Sequence, residues 1–208
     1  MASAEPDTIV IDHSSVPPDA TRSFAQQASA CSARTAMLDA PVSGGPAAAA
    51  AGKMIVWAGG EERIFARARP WIEAYAARVH HMGATGSGQI AKACHQIVAC
   101  GSVVLWEEAL RLASACGLDP AQVADAMDGA AADSQVRRTF ARGLAAGDFP
   151  LASLANMTKD LCAIQLLAKE HGAAAALSQA ALEQFRTRIT DLAMPAGPSS
   201  SHLQESGS

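Results

Sequence analysis

The stretch from Gly83 to Gly117 (GATGSGQIAKACHQIVACGSVVLWEEALRLASACG) limits the possible folds of this chain more than any other. A glycine-rich lead-in runs into an apolar segment with no proline before Pro120, so the spacing predicts one continuous helix from about Gly88 to Cys116. At 1.5 Å per residue such a helix is roughly 43 Å long, enough to cross one domain and enter a second. Ile90, Cys94, Ile97, Val98, Val104 and Leu105 put apolar groups on both flanks and predict burial nearly all round. Lys92, His95 and Gln96 interrupt this apolar length at i, i+3, i+4, and therefore share one face. A lysine and two hydrogen-bonding side chains on a buried helix need partners, which the rest of the chain must supply.

Ahead of that helix, strand and helix patterns alternate. Thr8–Ile11 is a short β-branched run followed by Asp12, His13, Ser14 and Ser15, and the prolines of VPPDATRSFAQQASACSA suit a helix start. Thr35–Leu38 leads into Asp39-Ala40-Pro41-Val42-Ser43-Gly44-Gly45, read as a strand ending in a small-residue turn. Pro46–Gly52 predicts a short helix, Lys53–Ala58 a strand, Glu61–Ala77 a helix and Arg78–Met82 a further strand. This alternation argues for an α/β layer.

Behind the long helix every pattern is helical. Asp119-Pro120 opens Pro120–Met127, Ser134–Leu144 carries Arg137, Arg138 and Arg142 on a face expected to be solvated, and Leu154–Glu170 ends near Gly172. Ser178–Leu192 is the last helix, and Pro195–Ser208 is a Pro/Ser/Gly-rich tail expected to be disordered. The domain reading is therefore residues 1–82, part of an α/β domain; residues 83–194, an all-helical domain; and residues 195–208, the tail.

Half of the residues are hydrophobic and 17% charged, with a net charge of −4, which argues for a compact core and against a nucleic-acid partner. The five cysteines lack CxxC spacing and read as reduced thiols packing as small hydrophobes. No secretory signal is evident, and Ile97–Trp106 is too short to span a bilayer, so a cytoplasmic protein without a membrane partner is expected. Gly83-x-x-Gly86-x-Gly88 has its glycines in a different order from the G-x-G-x-x-G turn of dinucleotide sites and is not read as one. Cys94-His95 and His80-His81 lack a ligand set with metal spacing, so no metal is assigned.

Four segments in order resemble one family: IDHSS (Ile11–Ser15), LDAPVSGG (Leu38–Gly45), GATGSGQIAKACHQ (Gly83–Gln96) and KDL (Lys159–Leu161). The chain resembles the β-hydroxyacid dehydrogenases, which include 3-hydroxyisobutyrate dehydrogenase and tartronate semialdehyde reductase, over roughly Thr8 to Leu192. In that family a glycine-rich turn lies upstream of the IDHSS-like segment. The resemblance therefore implies a truncated Rossmann-type domain, its later half only, joined by one long helix to a helical domain.

It also implies an oxidoreductase passing hydride between NAD or NADP and a small 3-hydroxy acid or its semialdehyde. Lys92 would be the general acid/base; Ser43, Gly44 and Gly45 would hold the substrate carboxylate; Gln96 would orient the reacting oxygen; and His95, where the family usually has asparagine, would also face substrate. Ser15 and Lys159 match positions near the nicotinamide, and a homo-oligomer through the helical domain is expected. Each residue has a plainer reading beside this one. Lys92 could extend to water, Ser43–Gly45 could be an ordinary turn, and Ser15 could cap the helix that follows. Gln96 and His95 could be satisfied locally, and Lys159 could lie on an exposed face. The alternative function is a non-catalytic chain whose helical part only dimerises.

Overall fold

A computed structural model describes residues 7–31, 35–147 and 151–193. The tail expected at residues 195–208 lies outside the described residues. The β-branched and apolar runs form five strands: β1 (Ile9–Asp12), β2 (Ala36–Asp39), β3 (Val42–Ser43), β4 (Met54–Gly59) and β5 (Ala76–Gly83). β1 and β2 pair in parallel, Ile9 opposite Ala36 through Asp12 opposite Asp39. β2 and β3 follow one another along the same side of β4, antiparallel to it, with Asp39 opposite Gly59 and Ser43 opposite Ile55. β5 lies on the other side of β4, parallel to it. Helix α1 (Pro18–Cys31) packs on β2, α2 (Gly45–Ala50) follows β3, and α3 (Glu62–Glu73) packs on β1, β2 and β5. Leu38, Val56, Ala58, Ile64, Ala68 and Ile72 form the core between sheet and α3.

Two boundaries here differ from the sequence expectation. The helix expected to reach Ala77 stops at Glu73, because Ala76 is buried and already paired with Met54 in the sheet. Sheet pairing and burial override the helical preference of the alanines, which is a weak local bias. Ser43, placed in a turn by the sequence, is the last residue of β3, and the turn begins at Gly44. Gly44 has φ +129°, and a Cβ there would sit 2.4 Å from the Ala48 side chain, so this turn demands glycine.

The long helix is real: α4 spans Ser87–Ala115, 29 residues, roughly 43 Å. It is followed by α5 (Pro120–Ala126), α6 (Gln135–Ala145), α7 (Leu151–Glu170) and α8 (Ala176–Ala193). Asp119 caps α5 by accepting from the Ala121 N–H, and Ser134 caps α6 by accepting from the Arg137 N–H. Cys100, Val103 and Val104 of α4 join Leu154, Leu161, Leu182 and Phe185 in one helical core. Trp106 and Leu110 join Ala124 and Ala141 in a smaller one. The Rossmann-type layer and the helical domain thus share one helix, as its length required.

Burial nearly all round is not what α4 shows. Ile90, Cys94, Ile97, Val98 and Leu105 are exposed, because the other elements cover only one side of the helix. Cys116 is exposed as well, whereas Cys100 is fully buried, and its thiol is pushed up to about 12, chiefly by desolvation. The arginine face departs from expectation at Arg137, while Arg138 and Arg142 are exposed as expected. Arg137 is buried, bonded to Asp128, to Asp133 at 2.7 Å and to the Ala124 carbonyl at 3.0 Å, and so ties α6 to α5. No helix among the described residues is long and apolar enough to cross a membrane.

Candidate active site

The site is assembled where α4 enters the sheet. Asp39, at the end of β2, is wholly buried and accepts the backbone N–H groups of Gly86 at 2.7 Å and Gln89 at 3.0 Å. A carboxylate at a helix N-terminus satisfies donors that have no partner within the helix and meets the positive end of its dipole. Burial pushes the Asp39 carboxyl above its usual value, and the backbone N–H groups pull it back. The helix comes this close only because position 88 is glycine: a Cβ there would lie 2.5 Å from the Trp57 carbonyl and 2.8 Å from that of Asp39. The glycines that resembled a scrambled nucleotide turn are a docking joint between helix and sheet.

That joint sets the three polar residues of α4 against their partners. The Lys92 amine donates to the Val42 carbonyl at 3.0 Å. His95 shares a 3.1 Å hydrogen bond through Nε2 with the Ser43 hydroxyl, and its ring lies 4.9 Å from that of Trp57, tilted by 39°. The Gln96 amide nitrogen donates to Asp160 at 2.6 Å, across to α7. One helix face therefore addresses both halves: Lys92 and His95 reach β3, just ahead of the Gly44-Gly45 turn, and Gln96 reaches the helical domain.

Lys159 and Ser15 also come together. The Lys159 amine lies 3.5 Å from the Ser15 carbonyl and 3.3 Å from Asp160. Because α1 begins at Pro18, Ser15 lies ahead of its first turn. Gln89, almost fully buried, clamps this segment by donating to the Ser14 carbonyl at 2.8 Å and accepting from the Val16 N–H at 3.2 Å. A cavity of about 290 Å³ opens among Ser15, Pro17, Lys92, Gln96, Lys159 and Asp160, walled on one side by Ala163, Ile164 and Leu167. A larger cavity of about 620 Å³ lies in the helical domain, where Glu107 is already paired with Arg188 and Arg111.

Burial is the main cause of the titration behaviour. It holds the Lys92 amine below its ordinary value, the nearby Lys159 adds to this, and Asp160 opposes it. His95 is lowered for the same first reason, with Lys92 adding to it. Both nitrogen bases are thereby biased towards their neutral forms. The sequence assigns no role to Asp39 or Gln89, and to Asp160 only a local cap or pair. Asp39 and Asp160 lie inside LDAPVSGG and KDL; Asp160 does pair with the adjacent Lys159, but Gly86, Gln89 and Gln96, the other partners, are 47 residues or more away and leave no mark in local spacing.

An α/β layer and a helical layer thus share one helix, with an amine, an imidazole and a carboxylate at their seam. Residues 1–83 match the model of the NAD-binding domain of 6-phosphogluconate dehydrogenase, and residues 86–198 match that of the NAD-binding domain of NADP-dependent 3-hydroxyisobutyrate dehydrogenase. The chain belongs to the β-hydroxyacid dehydrogenase family. It is 35% identical to a 2-hydroxy-3-oxopropionate reductase of Escherichia coli over 127 residues, covering 61% of this chain and 43% of that protein. It is 38% identical to a probable 3-hydroxyisobutyrate dehydrogenase of Mycobacterium bovis over 130 residues, 62% of this chain and 44% of the relative. The chain thus spans less than half the length of these relatives. The solved 3-hydroxyisobutyrate dehydrogenase of Salmonella typhimurium superposes with a TM-score of 0.83 at 29% identity, over 91% of this chain and 67% of that one.

Proposed function

We propose that this chain acts as an oxidoreductase on a small 3-hydroxy acid or its semialdehyde, with NAD or NADP as cofactor, and that Lys92 moves the hydroxyl proton. The observation that carries the reading is the Lys92 amine, lowered by burial, facing the cavity one strand residue away from Ser43. A base with its pKa brought towards neutrality is what alcohol–carbonyl interconversion requires. When bound, the nicotinamide supplies the hydride acceptor or donor. The cavity fits its ring end: apolar on the α7 side and polar at Ser15 and Lys159, with Ser43, Gly44 and Gly45 outside its lining, beyond Lys92.

Within this reading, the Ser43 hydroxyl and the backbone of Gly44 and Gly45 hold the substrate carboxylate. Gln96, tied to Asp160 through its amide nitrogen, offers its carbonyl to the reacting hydroxyl. Ser15 and Lys159 border the nicotinamide. The names of the relatives, a 2-hydroxy-3-oxopropionate reductase and 3-hydroxyisobutyrate dehydrogenases, support the substrate class. We place the division between domains at residues 82 and 83, the protein in the cytoplasm, and its assembly as a homo-oligomer through the helical domain.

The test is calorimetric titration of the purified chain with NADH and NADPH, followed by assay of 3-hydroxyisobutyrate oxidation. Saturable cofactor binding with turnover is expected. Lys92→Met should lower kcat by roughly 10²–10⁴-fold while cofactor binding persists. Turnover that survives Lys92→Met would remove the amine from the mechanism.

A further inference from the structure

We propose that His95 reads the acid end of the substrate: a carboxylate seated at Ser43 is bound together with a proton taken up from solvent onto the His95 imidazole. This deepens, and rests on, the placement of the carboxylate at Ser43–Gly45. The His95 ring, a titratable group, is in direct contact with the residue proposed to hold the anion.

Ser43 Oγ and His95 Nε2 are 3.1 Å apart, and Trp57 packs against the ring. A single hydrogen lies between these two atoms. In the neutral pair it comes from either the hydroxyl or the ring, and in the first case the hydroxyl has no hydrogen left for an anion. In the imidazolium form the ring always supplies it. The Ser43 hydrogen is then free to donate to a carboxylate, and a positive charge stands beside that carboxylate.

The titratable groups around the ring are Lys92 and Cys94 on α4, Asp160 on α7 beyond Lys92, and His80, which lies opposite Trp57 on β5. The charge that acts on the ring is that of Lys92, and together with burial it disfavours the imidazolium while the site is free. An arriving carboxylate offsets Lys92 and pairs with the imidazolium. An opposite charge within about 4–6 Å moves a titration by roughly one to three pH units towards the charged form. The bound state therefore holds one more proton than the free state. Affinity for the acid is highest at low pH and weakens as pH rises, by up to about tenfold per pH unit, from below 6.5 to the raised bound-state value.

The experiment is a proton NMR titration of the His95 Cε1–H resonance, assigned by its loss in His95→Asn, with and without saturating 3-hydroxypropionate. Calorimetric Kd values for the same acid are taken between pH 5 and 8 for both proteins. The ring midpoint should rise by at least one pH unit with the acid present, and Kd should climb with pH in wild type but stay level in His95→Asn. Proton uptake at Lys92 would leave the ring midpoint unmoved. Acid binding with that midpoint unmoved overturns the inference alone. No binding of the acid at any pH overturns the carboxylate site itself, and the inference with it.

Discussion

Lys92 shows what a single residue reveals before and after folding. A lysine among apolar helix residues stands out in any reading of the sequence, but its meaning depends on what covers it. Here the cover is β3 on one side and α7 on the other, with the Val42 carbonyl as acceptor. Its folded pKa is lowered below the unfolded 10.5, mainly by desolvation. Between the two values the unfolded chain binds more protons, so stability rises with pH across that window; below it the cost of the buried charge is borne in full. Lys92→Met should therefore stabilise the protein by about 1 kcal/mol at pH 7 and abolish the rise in stability towards pH 10.5. Urea denaturation at both pH values measures this. A less stable variant would mean that the amine is held more favourably than burial suggests.

At the scale of elements, the joint between α4 and the sheet is the critical contact. Asp39 holds the helix N-terminus, and Gly88 lets it come within reach. Gly88→Ala must push the helix away from the Trp57 and Asp39 carbonyls, and is expected to cost about 2–3 kcal/mol. Gly101, on the same helix, has nothing within 4 Å of where a Cβ would stand, so Gly101→Ala should instead gain up to about 1 kcal/mol from helix propensity. Thermal melts of the two variants, run side by side, should shift in opposite directions. A rise for Gly88→Ala would show that helix propensity, and not the close approach, decides the outcome at position 88.

At the scale of the molecule, the side of α4 away from both cores carries Val98 at 69%, Leu105 at 67% and Leu112 at 65% exposure. They recur every seven residues, so they form a nearly straight stripe along the helix, the arrangement that seats one helix against another. This stripe supports the homo-oligomer proposed above. Leu105→Glu, which places a charge in its centre, should convert the assembly to monomers in sedimentation equilibrium without lowering the melting temperature of the monomer. A wild-type chain that sediments as a monomer at all concentrations would exclude this surface as the contact.

The sequence alone determined the elements whose causes are local. The length of α4, the cap at Asp119, the alternation of strand and helix and the shared face of Lys92, His95 and Gln96 all follow from spacing and composition within a few turns. It also carried LDAPVSGG and KDL, whose resemblance led to the right family although neither segment explains itself. Tertiary structure alone decided which partners those residues meet. Gln96 turns to Asp160, His95 to Ser43, and Asp39 to the start of a helix 47 residues onward. It also decided that Arg137 is buried and that Val98 and Leu105 are not. Periodicity places a side chain on a face of its own element. Whether that face is covered, and by what charge, depends on contacts between distant parts of the chain, and those contacts fix the polarity and titration of the site.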